Sequence, residues 1–148
     1  MKLAFDPHRR ELLVRIWREH VGLGANPDEV LVSAQDFFLG NADPGSIGCN
    51  LSAHPGVETF QSILATVQER PDVQGVLVGI TDVNNDAGDS WPFSDRVYII
   101  SSPSVAEVKD WIQPLLPDDV VEVAGHETAS AQLPNVRSGY KVYLVWWD

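Results

Sequence analysis

Val73–Val83 is rich in β-branched residues, and Arg96–Ile100 repeats that character after the polar segment VNNDAGDSWPFSD. Branched side chains suit a pleated, half-buried surface, so two such runs joined by a polar loop predict a long hairpin. A hairpin needs further strands or helices against it before it is stable in water, which commits the chain to a covered sheet. Helical patterns flank it on both sides. Pro55 opens a stripe of Val57, Phe60, Ile63, Leu64 and Val67 that stops at Pro71. Ser102 and Pro103 open a second, with Val105, Val108, Ile112 and Leu115 inward and an end near Pro114–Pro117.

A short strand is expected around Ile47–Leu51, delivered by the turn-forming run NADPGSIGCN, and another at Val120–Val123. The order from Ile47 to Val123 is then β-α-β-β-α-β, which predicts an α+β fold: an antiparallel sheet with helices on one face and a ferredoxin-like core over about residues 46–124. Tyr140–Trp147 reads as a last strand, after a polar loop over Gly125–Ser138. Residues 1–40 read as a helical segment. Asp6 and Pro7 start one helix carrying Leu12, Leu13, Ile16 and Trp17, and Asn26–Glu29 start another. In the second, Val30, Leu31, Ala34, Phe37 and Phe38 can share one stripe, or Val30–Val32 can be extended with a shorter helix capped at Ser33. Both readings fit the pattern. The whole chain, 1–148, is expected to be a single domain, with residues 46–148 holding the sheet.

Charge narrows the partners. Residues 1–20 hold five basic and three acidic side chains, leaving five basic against eighteen acidic in residues 21–148 and a net charge of −11. Such a field repels nucleic acid and anionic membranes and draws in cationic partners. The longest apolar run, Tyr143–Trp147, is too short to span a bilayer. One cysteine, Cys49, cannot form an internal disulfide, and the N-terminus lacks a secretory pattern, so the expected compartment is the cytoplasm.

No catalytic signature stands out. Cys49 and His54 supply a thiol and an imidazole, the least that nucleophilic catalysis needs, although surrounding acidity opposes thiolate formation. The segment Asp82–Asp89 has oxygen ligands at alternating positions, Asp82, Asn84 and Asp86, as in a calcium loop, but Ala87 and Phe93 stand where glycine and a bidentate Glu belong. Asp118 and Asp119 read as a turn rather than a dyad. His8, His20, His54 and His126 are scattered, which suggests no zinc site, and no cofactor is expected. Trp146 and Trp147 would face opposite sides of a strand, so both are buried only if the sheet is covered on both faces there.

The strings Phe37-Phe38-Leu39-Gly40-Asn41, Gly45-Ser46-Ile47-Gly48-Cys49-Asn50-Leu51 and Trp91-Pro92-Phe93-Ser94-Asp95-Arg96-Val97-Tyr98 resemble a pattern found in small acidic bacterial proteins of uncharacterised function. The resemblance covers roughly residues 33–124, implies a bacterial source, and brings no catalytic residues with it. In physical character, a compact acidic chain without a visible site, the protein is also similar to immunity proteins of bacterial toxin systems.

These features favour a non-enzymatic module that captures a basic protein, in the form of an immunity protein neutralising a toxin. Asp82, Asp86, Asp89, Trp91 and Asp95 around the hairpin, with Trp147, are the candidate contacts. Solvation of an acidic loop is the plainer reading of the same residues. Two alternatives remain: a small-molecule enzyme with a cleft near Cys49 and His54, and a homodimer paired through the apolar strand Tyr140–Trp147.

Overall fold

A computed structural model describes residues 7–22, 30–82, 91–123 and 135–147. In chain order they form α1 (Pro7–Gly22), β1 (Val30–Ser33), α2 (Ala34–Phe38), α3 (Val57–Gln68), β2 (Val73–Asp82), β3 (Phe93–Ser101), α4 (Val105–Ile112), β4 (Asp119–Val123) and β5 (Lys141–Trp146). Short 3-10 turns lie at Pro44–Ser46 and Gln113–Leu115. The strands make one sheet in the order β1-β2-β3-β5-β4, and every neighbouring pair is antiparallel. The α+β class and the antiparallel sheet expected from the sequence are present.

The ferredoxin-like order is not. In that arrangement, antiparallel throughout, the first strand of the unit lies between the third and the fourth, and here β5 occupies the place between β3 and β4. The difference begins at the first strand. Ile47–Leu51 makes only one isolated bridge, Ile47 to Ser94, because a 3-10 turn precedes it and Gly48 at φ +65° turns the chain away after it. The strand forms earlier, at Val30–Ser33, where Val30 and Val32 lie opposite Ile80 and Val78 of β2. Ser33 then caps α2, its hydroxyl accepting the Asp36 N–H at 3.1 Å. Of the two readings of residues 30–40, the strand followed by a short capped helix is the observed one.

Register sorts the side chains into two faces. Val32, Val78, Val97, Val145 and Val120 are directly paired from strand to strand, giving an unbroken row of buried valines across all five strands. The described helices bury their apolar residues on this face: Leu12 and Ile16 from α1, Phe37 and Phe38 from α2, Phe60, Leu64 and Val67 from α3, Val108 and Ile112 from α4. The opposite face carries a smaller cluster of Leu31, Tyr98, Ile100 and Val142, with Leu77, Leu144 and Val123 half-buried beside it. Helices on one face are therefore as expected.

β5 runs between β3 and β4 and has no free edge, which removes the geometry expected for a dimer paired through Tyr140–Trp147. Its hydrophobicity has a local cause, since it is flanked by strands on both sides and covered by the helix face. Among the described residues the sheet ends instead at β1 and β4.

The valine row yields a stability test. Val97→Ala should cost roughly 2–3 kcal/mol in urea denaturation, for lost burial and the cavity left behind, while Val121→Ala on exposed β4 should change stability by less than about 0.5 kcal/mol. Tyr143 gives a second. Its hydroxyl donates to Pro103 O at 2.6 Å, and burial pushes its titration up, with Lys141 lowering it and Glu122 raising it. A raised folded-state value means the contribution is whole below the ordinary tyrosine range near pH 10 and is lost as pH climbs through the folded-state value. Tyr143→Phe should flatten that alkaline decline, as urea unfolding at neutral pH and at about pH 11 would report.

Candidate functional site

The turn-rich stretch after α2 is wired rather than loose. Asn41 is buried, and its amide donates to Ser46 Oγ at 3.0 Å while its oxygen accepts the Asp43 N–H at 2.8 Å. The Ser46 hydroxyl donates to Asp43 O at 2.7 Å. Both oxygens of Asp43 are used: Oδ1 accepts the Gly45 N–H at 2.9 Å, capping the 3-10 turn, and Oδ2 accepts the Trp91 main-chain N–H at 3.0 Å. Gly40 sits at φ +75°, and a Cβ there would lie 2.6 Å from the His8 ring, so α1 approaches the end of α2 closely enough to require glycine.

Trp91 closes this arrangement from the other side. It is only 4% exposed, and its indole N–H donates to Phe37 O at 2.9 Å. Through this bond, the Asp43 contact and the Ile47–Ser94 bridge, the three strings singled out in the sequence meet at one place. Trp147 is likewise 4% exposed; its indole donates to Leu115 O at 2.9 Å, its main-chain N–H to Asp95 O at 2.9 Å, and its ring lies 5.3 Å from that of Phe60. Neither indole is on the surface, so the aromatic anchors expected of Trp91 and Trp147 serve as framework instead. Trp146 is half-buried.

The other expected residues scatter. Asp95 is half-buried, and its carboxylate meets Arg96 Nε at 2.8 Å. Asp82 ends β2, with a side chain outside the described residues, and Asp86 and Asp89 fall in the undescribed 83–90, as does most of the calcium-like segment. Much of the expected 125–138 loop also lies outside the described residues. Cys49 is exposed, its Sγ 3.8 Å from Asn50 Oδ1. His54 is fully engaged: Nδ1 accepts the Gly56 N–H at 2.9 Å, so Nε2 carries the proton and donates to Ile47 O at 2.8 Å. Both ring nitrogens thus tie residue 47 to the start of α3, and the imidazole offers no free lone pair to a thiol. Among the described residues no three His, Cys, Asp or Glu side chains converge as a metal site requires.

A different surface comes forward at the end of the sheet. Asp118, Asp119 and Glu122 are exposed along β4, and Glu107 and Asp110 are exposed on α4, the helix packed beside it. Lys109 Nζ lies 3.6 Å from Asp119 and Lys141 Nζ 3.6 Å from Glu122, and both pairs are so exposed that each contributes at most about 1 kcal/mol. A groove of about 340 Å³ opens there between Leu116, Pro117 and the first residues of β4. Leu116, at φ 56°, is 45% exposed, and Val121 is 36% exposed. Asp118 and Asp119 looked like a bare turn in the sequence, and nothing local showed that β4 would be an outer strand. Positive charge gathers on α1, where Arg10, Arg15 and Arg18 line a groove of about 510 Å³.

Residues 8–145 match the family described as "Uncharacterized protein YfbO family". A curated relative, "Uncharacterized protein YfbO" of Escherichia coli (strain K12), is 32% identical over 126 residues, covering 83% of this chain and 87% of its own length. The resemblance to uncharacterised bacterial proteins read from the three strings is thereby borne out. No solved structure matches. No helix among the described residues is long and apolar enough to cross a membrane.

If Trp91 is framework, removing its N–H while keeping an aromatic ring should be costly. Trp91→Phe leaves the Phe37 carbonyl unpaired in a buried setting and should lower unfolding free energy by roughly 1–3 kcal/mol in urea denaturation.

Proposed function

The chain belongs to the YfbO family, and we propose that it is a non-enzymatic binding domain for a positively charged protein, of which an immunity protein facing a basic toxin is the concrete form. The observation that carries this reading is the separation of charge on the folded chain. Exposed carboxylates of Asp118, Asp119, Glu122, Glu107 and Asp110 lie on the α4–β4 side, where Lys109 pairs with Asp119 and Lys141 with Glu122. A surface of one sign raises the encounter rate with an oppositely charged macromolecule and discourages wrong partners more than it adds affinity. The exposed Leu116 and Val121 supply apolar area within that field. Catalysis near Cys49 has weaker support, because His54 spends both nitrogens on the main chain.

Affinity capture from a bacterial source at low and high salt tests the reading. The wild-type chain should enrich a basic protein at low salt. Neutralising the β4 side with Asp118→Asn, Asp119→Asn and Glu122→Gln should lower association about tenfold or more, and raising salt should do the same. Asp86→Asn with Asp89→Asn measures the hairpin's share separately. Absence of any enriched basic protein, or capture indifferent to salt and to both sets of substitutions, contradicts the proposal.

A further inference from the structure

We propose that the contact segment of the partner is an extended basic strand that adds to the outer edge of β4; this rests on the acidic binding reading above and specifies its geometry. The two ends of the sheet differ. At β1, Val30, Leu31 and Val32 are buried and α1 packs against the strand. At β4, Asp119, Val121 and Glu122 are exposed, and among the described residues only β5 pairs with it. An outer strand presents main-chain N–H and C=O groups ready to pair, and proteins usually cover or blunt such an edge.

The side chains of β4 select what can pair there. A second copy would bring the same Asp119-Val120-Val121-Glu122-Val123 edge and the same sign of charge, which disfavours self-pairing. A strand bearing Lys or Arg opposite Asp119 and Glu122 meets the reverse situation. Val121 continues the row Leu77–Tyr98–Leu144 on the face away from the helices, so an apolar residue set opposite Val121 would extend that row by one strand. At the start of β4, beside α4, the groove lined by Leu116, Pro117 and Val120 can receive a neighbouring apolar side chain. Leu116 is held for this by its N–H, which donates to Gln113 O at 3.0 Å. The recognised chemistry is therefore an extended segment with basic residues opposite Asp119 and Glu122 and an apolar residue opposite Val121. Main-chain bonds supply affinity and alternate side chains supply choice.

A short fluorescein-labelled peptide built on the run Lys-Val-Val-Lys serves as probe, with fluorescence polarisation on the full chain as readout. A second peptide has the same side chains but methyl groups on alternate backbone nitrogens, which keeps charge and removes edge donors. The methylated peptide should bind at least about tenfold more weakly, and the unmethylated one should slow amide exchange over residues 119–123. Equal binding of the two peptides overturns strand addition while leaving an acidic binding surface intact. Unmethylated peptide that binds equally well to the Asp118→Asn, Asp119→Asn, Glu122→Gln chain overturns the acidic reading itself. No binding of either peptide contradicts both.

Discussion

Two buried indoles must each find an acceptor for a ring N–H, and the way this chain meets that requirement holds the rest together. An indole donor left unpaired in an apolar interior would forfeit much of what burying so large a ring contributes. Trp91 uses the carbonyl of Phe37, and Trp147 that of Leu115. Phe37 lies in α2, ahead of the wired turn, and Leu115 closes the turn that follows α4. Each bond therefore fastens a stretch of non-sheet chain to a residue beside a strand, Trp91 just before β3 and Trp147 just after β5. Asp43, held by its own turn, adds a second tie to Trp91, and the Trp147 main chain extends the β3–β5 pairing by one bond to Asp95. The residues that most resemble surface anchors in the sequence are the ones that assemble the core.

Between these ties the valine row fixes the register. Because side chains alternate, a slip of one residue in any strand would send its valine to the wrong face, so five aligned positions specify pairing strongly. The helices then have one continuous apolar floor, and the opposite face keeps a smaller cluster around Tyr98 and Ile100. With β1 packed against α1 and β5 flanked by strands, β4 is the outer strand among the described residues, with Asp119, Val121 and Glu122 exposed on it. The functional reading is thus a consequence of how the sheet is closed.

What the sequence revealed was local. α3 and α4 follow stripes set by residues three and four apart and punctuated by proline, and β2, β3, β4 and β5 follow branched runs, so each could be read from its own neighbourhood. Residues 30–32 could not, because their extended form depends on Ile80 and Val78 being there to pair with them. Ile47 misled for a similar reason: one apolar residue among turn formers looks like the start of a strand, but it is a buried plug that makes a single bridge. The strand order lies in long-range pairing that no local pattern encodes. Whether Trp147 was inside or outside depended on Phe60 of α3 lying against its ring. The roles of Asn41, Asp43 and Ser46 were signalled only as turn propensity, since their partners depend on where Trp91 arrives.

Trp91 and Trp147 are internal supports, buried and hydrogen-bonded through their indoles, and the recognition proposed for the acidic edge depends on their being so. Hydrogen exchange of the indole N–H groups, followed by nitrogen-15 NMR after transfer to deuterated water, tests it most directly. The signals of Trp91 and Trp147 should persist long after that of half-buried Trp146 has vanished. If both exchange as quickly as Trp146, the two rings are open to solvent and the account is wrong.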